Sequence, residues 1–238
     1  MKYLITNADD FGFTRDVNEG IVHAHRHGIL TATTLMATGV EFDHAVDLAR
    51  RNPRLDIGVH LVLVGSPGYP ATTAALVRAV ALGRIALYDR LAEQVRKILS
   101  AGITPTHLDT HKHTHILPQV LNAVGRISQE FRIPWVRRPL FPGLLQALKN
   151  RGCRATDHFA GFRLTGKFDA PALAALIRRL PDGATEFMCH PGFCTDELRA
   201  AHTRLKESRR RELDALISPE VRAAIEESRV KLVRYQDL

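Results

Sequence analysis

Two adjacent carboxylates, Asp9 and Asp10, end the first apolar run of the chain, Leu4-Ile5-Thr6-Asn7-Ala8-Asp9-Asp10-Phe11-Gly12. Side-by-side carboxylates repel, and a burying strand gains nothing from them. A divalent cation, or a division of labour between metal ligand and proton carrier, accounts for the pair. Three further segments supply partners for such chemistry. His60 lies in Ile57-Gly58-Val59-His60-Leu61, a dense cluster runs Thr106-His107-Leu108-Asp109-Thr110-His111-Lys112-His113-Thr114-His115, and Cys189-His190-Pro191-Gly192 closes another apolar run. The combination points to a metal-dependent hydrolase.

One carboxylate with two imidazoles makes an open ligand set that leaves positions for water and substrate. Asp10, His60 and His111 are the leading candidates; zinc suits these nitrogen and oxygen donors, and other divalent cations stay open. In an extended segment Asp109, His111, His113 and His115 share one face by period two, so His113 and His115 are alternative ligands, substrate contacts or groups that orient a ligand. With 12 histidines in the chain, chance clustering is the competing account. Asp9 is placed to take a proton from a water that a cation has acidified, or it simply faces the dipole of the following helix. His190 titrates near neutrality and is either a proton donor to a leaving amine or a satisfied strand-end histidine. Trp135-Val136-Arg137-Arg138-Pro139 offers two guanidiniums, Arg137 and Arg138, to fix a carboxylate in a bidentate pair or to stand in solvent. Arg204, Lys206 and Arg209-Arg210-Arg211 read as a solvated helix face.

Positioning these residues requires strands that end at them. Strand-like segments are expected over 2–7, 29–37, 56–64, 106–109, 134–137, 185–189 and 230–235, and helical spacing over 16–27, 42–51, 119–129, 143–150 and 203–217. Further helical patterns fill the chain up to Ser100, and helix starts are expected at Asp169-Ala170-Pro171 and Ser218-Pro219-Glu220. Regular β–α alternation without a linker or repeat argues for one α/β domain over residues 1–238. Asp9, Asp10, His60, His111 and His190 all fall at or just past strand C-termini. A (β/α) barrel gathers that rim into one site, whereas an open doubly wound sheet gathers only strands near its switch point. An irregular TIM-like barrel of about seven or eight strands is therefore expected.

Composition agrees with a single domain: 238 residues are 45% hydrophobic, and the formal charge is +8 from 33 basic and 25 acidic residues. That charge favours anionic surroundings without naming a fold. Three cysteines without a CxxC pair suit free thiols in a reducing cytoplasm. The first apolar stretch is too short for a signal peptide, and the apolar region 71–87 is interrupted by Arg78 and Arg84, so no membrane span is expected. GxSxG, Walker, GxGxxG and HExxH patterns are absent, which removes support for serine hydrolases, NTPases, dinucleotide enzymes and zincins. The basic run 204–211 lacks interleaved aromatics, so nucleic acid is not an expected partner. A metal-dependent sugar isomerase or phosphoesterase is the remote alternative.

Asn7-Ala8-Asp9-Asp10-Phe11-Gly12, Gly58-Val59-His60-Leu61, Pro105-Thr106-His107-Leu108-Asp109 with its following histidines, and Met188-Cys189-His190-Pro191 resemble, in order and across essentially the whole chain, the YdjC-like carbohydrate deacetylases, which include chito-oligosaccharide deacetylases. The resemblance implies an irregular TIM-like barrel and metal-dependent removal of acetyl from an N-acetylated amino sugar. It implies one divalent ion, zinc or magnesium, on Asp10, His60 and His111, with Asp9 as base and His190 as acid. Asp109, His113, His115, Arg137 and Arg138 would contact substrate or support the ligands. Lys112 stands where a histidine would make an uninterrupted triplet. The chain looks most like the hopanoid-biosynthesis-associated branch, which implies a glycolipid substrate, cytoplasmic residence and peripheral contact with the inner membrane face; a homodimer is compatible. The small apolar residues of 68–87 would line a lipid-accepting mouth, or else pack on the barrel.

Overall fold

Strand β1 (Lys2–Phe11) forms the axis of the sheet because its Leu4, Ile5 and Ala8 tolerate complete burial on both faces. The computed structural model describes residues 1–238. Around β1 are arranged β2 (Ala32–Leu35), β3 (Asp56–Leu61), β4 (His107–Thr110), β5 (Trp135–Val136), β6 (His158–Ala160), β7 (Gly183–Cys189) and β8 (Lys231–Leu232). The order is β5-β4-β3-β2-β1-β7-β6, every pairing is parallel, and β8 joins only the start of β1. The sheet curls until its two edges approach: Trp135 pairs with Arg154, and the same segment continues into β6, which pairs with β7. An irregular TIM-like barrel results.

The helices wrap the outside: α1 (Arg15–His27), α2 (Phe42–Arg51), α3 (Thr73–Ala81), α4 (Leu87–Ser100), α5 (Pro118–Glu130), α6 (Pro142–Lys149), α7 (Ala170–Arg178), α8 (Asp196–Ala200), α9 (Glu207–Leu216) and α10 (Pro219–Glu227). Their starts follow local chemistry. Thr14, Thr72, Asp169 and Ser218 accept hydrogen bonds from the first-turn N–H groups of α1, α3, α7 and α10. Between helices and sheet lies one apolar core of 52 buried residues. A second, four-residue cluster of Ile5, Ala32, Trp135 and Tyr235 plugs the lumen at the N-terminal end of the strands. Above that plug the lumen turns polar. His107 stacks on Tyr235 with centroids 4.0 Å apart, and its Nε2 lies 2.9 Å from Asn7 Oδ1. Gly58 is required opposite: a Cβ there would come within 2.5 Å of the His107 ring.

The anticipated strands and long helices are present, with two omissions and one shift. Strand β6 spans only three residues and α8 only five, too short for periodicity to register. The basic helix expected from Thr203 begins at Glu207, where Lys206 turns back to donate from Nζ to the Arg199 carbonyl. No helix is long and apolar enough to cross a membrane.

Helix α1 presses against the loop that leaves β7. A Cβ on Gly20 would lie 2.4 Å from Gly192 Cα, a backbone atom that has no rotamer with which to yield. Gly20→Ala is therefore expected to destabilise the protein by about 1–3 kcal/mol despite the gain in helix propensity. Gly143→Ala, where nothing lies within 4 Å of the added carbon, is the matched control and should be neutral or better. Urea denaturation of both variants checks the pair.

Candidate active site

In a regular strand Asp9 and Asp10 would point to opposite faces. They do not, because β1 is irregular between Ala8 and Phe11 and Asp10 adopts φ 71°, a left-handed conformation that aspartate bears better than most residues. This turn brings both carboxylates to the C-terminal mouth. Backbone strain of about 1–3 kcal/mol is a usual cost of such a residue, and it persists where surrounding contacts over-determine it. Those contacts are two buried arginines. Arg137, just past β5, grips Asp9 with a two-pronged pair, Nη1 to Oδ2 at 2.8 Å and Nη2 to Oδ1 at 2.6 Å. Arg209 on α9 donates from Nη2 to Asp10 Oδ2 at 2.5 Å.

The free oxygen of Asp10 meets two imidazoles. Asp10 Oδ1 lies 3.4 Å from His60 Nε2 and 3.3 Å from His111 Nδ1, and the two nitrogens are 3.1 Å apart. A tetrahedral ion bound at about 2.0–2.1 Å spaces its donors by about 3.3 Å, so this triangle matches a metal ligand set. The donor chemistry agrees. His60 Nδ1 lies 2.6 Å from Asp109 Oδ1; when that nitrogen carries the proton, the Nε2 lone pair faces Asp10 and His111. Three electron pairs then converge where a cation would satisfy them. Asp9, His60 and Asp109 also bring donor atoms together, but Arg137 ties both carboxylates and His60 turns its Asp109-bound nitrogen that way.

Charge explains the electrostatics. Asp9, Asp10, Asp109 and Glu186 are buried here with only Arg137 and Arg209 as permanent cations. Burial opposes charge on His60, yet Asp109, Asp10 and Asp9 outweigh it and raise its pKa to about 10. Burial alone would lift Asp9, but Arg137 holds it well below the ordinary carboxylate range. Burial pushes His190 down to about 4, against the pull of Asp9 and Asp10, and raises Glu212 to about 7.

His190, at the end of β7, stands across from the triangle. Its Nε2 lies 3.9 Å from Asp9 Oδ2, and its Nδ1 has no hydrogen-bond partner, with Glu212 Oε2 at 3.9 Å. Glu212 fixes the loop by accepting from the His190 N–H at 2.6 Å and the Gly166 N–H at 2.7 Å. These groups floor a cleft of about 1000 Å³ whose walls include Phe13, Met36, Val64, Phe162 and Leu205, with Lys112, Arg204 and Lys206 near the top.

Three expectations need correction. His111, His113 and His115 do not share an extended face. The chain enters a 3-10 turn, with Lys112 and His113 at φ 53° and 52°, and the rings separate. His111 joins Asp10, His113 lines the cleft against Phe162 with centroids 4.8 Å apart, and His115 is buried with Nδ1 2.6 Å from Thr110 Oγ1. The two arginines after β5 also part: Arg137 enters the site, while Arg138 reaches only the Thr156 carbonyl at 3.4 Å. Arg209 is not on a solvated face but 1% exposed beneath Asp10. Sequence reading missed Arg209, Glu186 and Glu212 as site-builders. A helical pattern with Arg209, Glu212 and Leu213 on one side was the available signal for two of them.

The profile of the family described as YdjC-like protein matches residues 3–227. The chain is 32% identical over 248 residues to a carbohydrate deacetylase of Brevibacillus brevis, covering 99% of each chain. It is 34% identical over 258 residues to a chitooligosaccharide deacetylase of Serratia marcescens, covering 100% of this chain and 99% of that one. The crystal structure of an Enterococcus faecalis protein with a provisional cellobiose-phosphate cleavage role superposes with a TM-score of 0.87 at 27% identity, over 99% of this chain and 98% of that one. By sequence over its whole length and by the course of its backbone, this chain belongs to the YdjC-like family.

Proposed function

We propose that the protein is a metal-dependent deacetylase that hydrolyses the acetamide of an N-acetylated amino sugar. The observation that carries this reading is the convergence of Asp10 Oδ1, His60 Nε2 and His111 Nδ1 beside Asp9, with His190 on the far side. The names of the carbohydrate and chitooligosaccharide deacetylases to which the chain is similar agree with it. A divalent ion, zinc or magnesium, would be held by Asp10, His60 and His111 and would supply Lewis-acid chemistry to the acetyl carbonyl and to a water. The chain's residues do the rest. Asp9 accepts the proton of the attacking water, and the Arg137 fork keeps that carboxylate ionised in one orientation. Such a base is weak, which suits a water already acidified. His190 hands to the departing amine the proton that Asp9 took from the water. That proton is passed on between Asp9 Oδ2 and His190 Nε2, which lie 3.9 Å apart, with Glu212 holding the His190 backbone in place. Acetate and a free amino sugar result.

The substrate we favour is an N-acetylglucosaminyl lipid of the hopanoid type, met at the cytoplasmic face of the membrane. Exposed large apolar side chains support it. Val40 and Phe162 line the cleft, and Leu82, Ile116, Leu140 and Phe141 lie on the segments that follow β3, β4 and β5. Helix α3 packs Leu76 and Val80 on the core and leaves Ala74, Ala75 and Val77 exposed, so part of its apolar surface is free to meet a lipid. The +8 formal charge favours an anionic leaflet.

Three measurements test these assignments. Asp10→Ala, His60→Ala and His111→Ala should each abolish tight divalent-metal binding, whereas His113→Ala should reduce it little; elemental analysis reads the result, and full occupancy in His111→Ala removes that ligand. Asp9→Asn should keep its metal and lose turnover by about 10²–10⁴-fold, as for a lost general base. Near-normal acetate release from metal-replete Asp9→Asn would refute the base role. For the substrate, kcat/KM should be higher for a glucosaminyl lipid analogue than for diacetylchitobiose. The reverse order returns the enzyme to chito-oligosaccharides.

A further inference from the structure

The N-terminal end of the barrel, opposite the cleft, carries a second cavity of about 650 Å³. It opens where α1 and α2 end and where the chain passes β8. Four arginines line it, Arg26, Arg51, Arg54 and Arg234, with Asp237 the one acid. Asp237 is already taken, since Arg234 donates to it from Nε at 3.0 Å and from Nη2 at 2.8 Å. Arg26 is oriented by its Nε, which donates to Oδ1 of the buried Asn52 at 2.8 Å, and its two terminal amines hold no other hydrogen bond. Asn52 itself is anchored by donating to the Leu48 carbonyl at 2.7 Å. Arg51 and Arg54 flank this anchor in the chain and pair with no carboxylate. The positive field is felt at His25, whose Nδ1 is engaged by the Leu30 carbonyl at 2.9 Å. First burial, then Arg54, Arg26 and Arg234, hold that imidazole below its ordinary pKa.

We propose that this cavity is a binding site for a soluble phosphate-bearing anion, with Arg26, Arg51 and Arg54 supplying the charge and Asn52 fixing the fork. Guanidiniums bind phosphate oxygens through paired, charge-assisted hydrogen bonds, and three in one concave wall suit a diphosphate better than a carboxylate. Solvated surface arginines alone would not need the buried amide that orients Arg26. A bilayer is the poorer occupant. Of the exposed large apolar side chains, Val40 and Phe162 line the cleft and Leu232 alone lines this cavity, so a membrane contact here would turn the cleft away from the lipid surface.

Calorimetry with inorganic pyrophosphate tests the site on the full-length protein. One molecule should bind per chain, weakening with added salt. The double variant Arg51→Ala/Arg54→Ala should lose about tenfold or more in affinity through the charged hydrogen bonds it removes. Its thermal midpoint without pyrophosphate and its acetate release should match the unaltered protein, because neither residue touches the cleft. Lys112→Ala, in the cleft, should bind pyrophosphate normally. Absence of saturable binding, full binding by the double variant, or loss of binding in Lys112→Ala would each overturn the proposal. So would binding only to phosphatidylglycerol vesicles with none to pyrophosphate.

Discussion

The site depends on one buried guanidinium that must serve three carboxylates. Arg137 reaches Asp9, Asp109 and Glu186 with nitrogen–oxygen distances of 2.6, 2.8 and 2.7 Å while only 1% exposed. A lone ion in such surroundings is costly, and breaking a buried pair typically costs about 3–5 kcal/mol because the partner charge is stranded. Three partners make the dependence steeper. Burial shows its cost on the two carboxylates with less help: Asp109 and Glu186 are both raised, whereas the fork pulls Asp9 down. The cluster holds more negative charge than its arginines neutralise. That imbalance makes an imidazole basic at His60 and makes the Asp10, His60 and His111 triangle hospitable to a cation.

The barrel makes this concentration of charge tolerable by giving each group a rigid origin. Asp9 comes from β1, Asp109 from the end of β4, Arg137 from just past β5 and Glu186 from β7. Parallel strands place their C-terminal ends at one level, so groups distant in sequence meet without long flexible arms. Beneath them Tyr235, His107 and Asn7 continue the lumen as a column of packed polar rings and amides. The left-handed turn at Asp10 delivers a second carboxylate to the same side, and the positive φ of Lys112 and His113 shapes the turn that leaves His111 beside it.

Much of this was legible in the chain. Strand–helix alternation, with polar residues at strand ends, is dictated by burial and period, and it indicated both the barrel and the convergence of Asp9, Asp10, His60 and His190. What could not be read depended on conformation that a pattern does not encode. The period-two face for His111, His113 and His115 failed because Lys112 and His113 adopt positive φ, a choice made by the tight exit from β4. Arg209 looked like one of three solvated arginines because local sequence records the helix but not which side is buried against β1. Glu186 sat inside an apolar strand, where a lone acid has meaning only once Arg137 is seen opposite. Strand β6 is three residues long and is held by β7 rather than by its own propensity, whereas the final strand expected over 230–235 is present as the two residues of β8.

The formal charge of +8 acquires a different meaning when its carriers are located. Arg137 and Arg209 are spent inside the protein on carboxylates, so they add nothing to the outer field. Arg26, Arg51 and Arg54 gather at the N-terminal pole, while Lys112, Arg204 and Lys206 stand over the cleft. These cations fall into three groups with different work: internal neutralisation, an unpaired cluster at one pole, and a basic fringe at the other. Only the last two can attract a partner from solution, and they face opposite ways. Two separated attractions are therefore available to one small barrel, and neither competes with the charge that holds its active centre together.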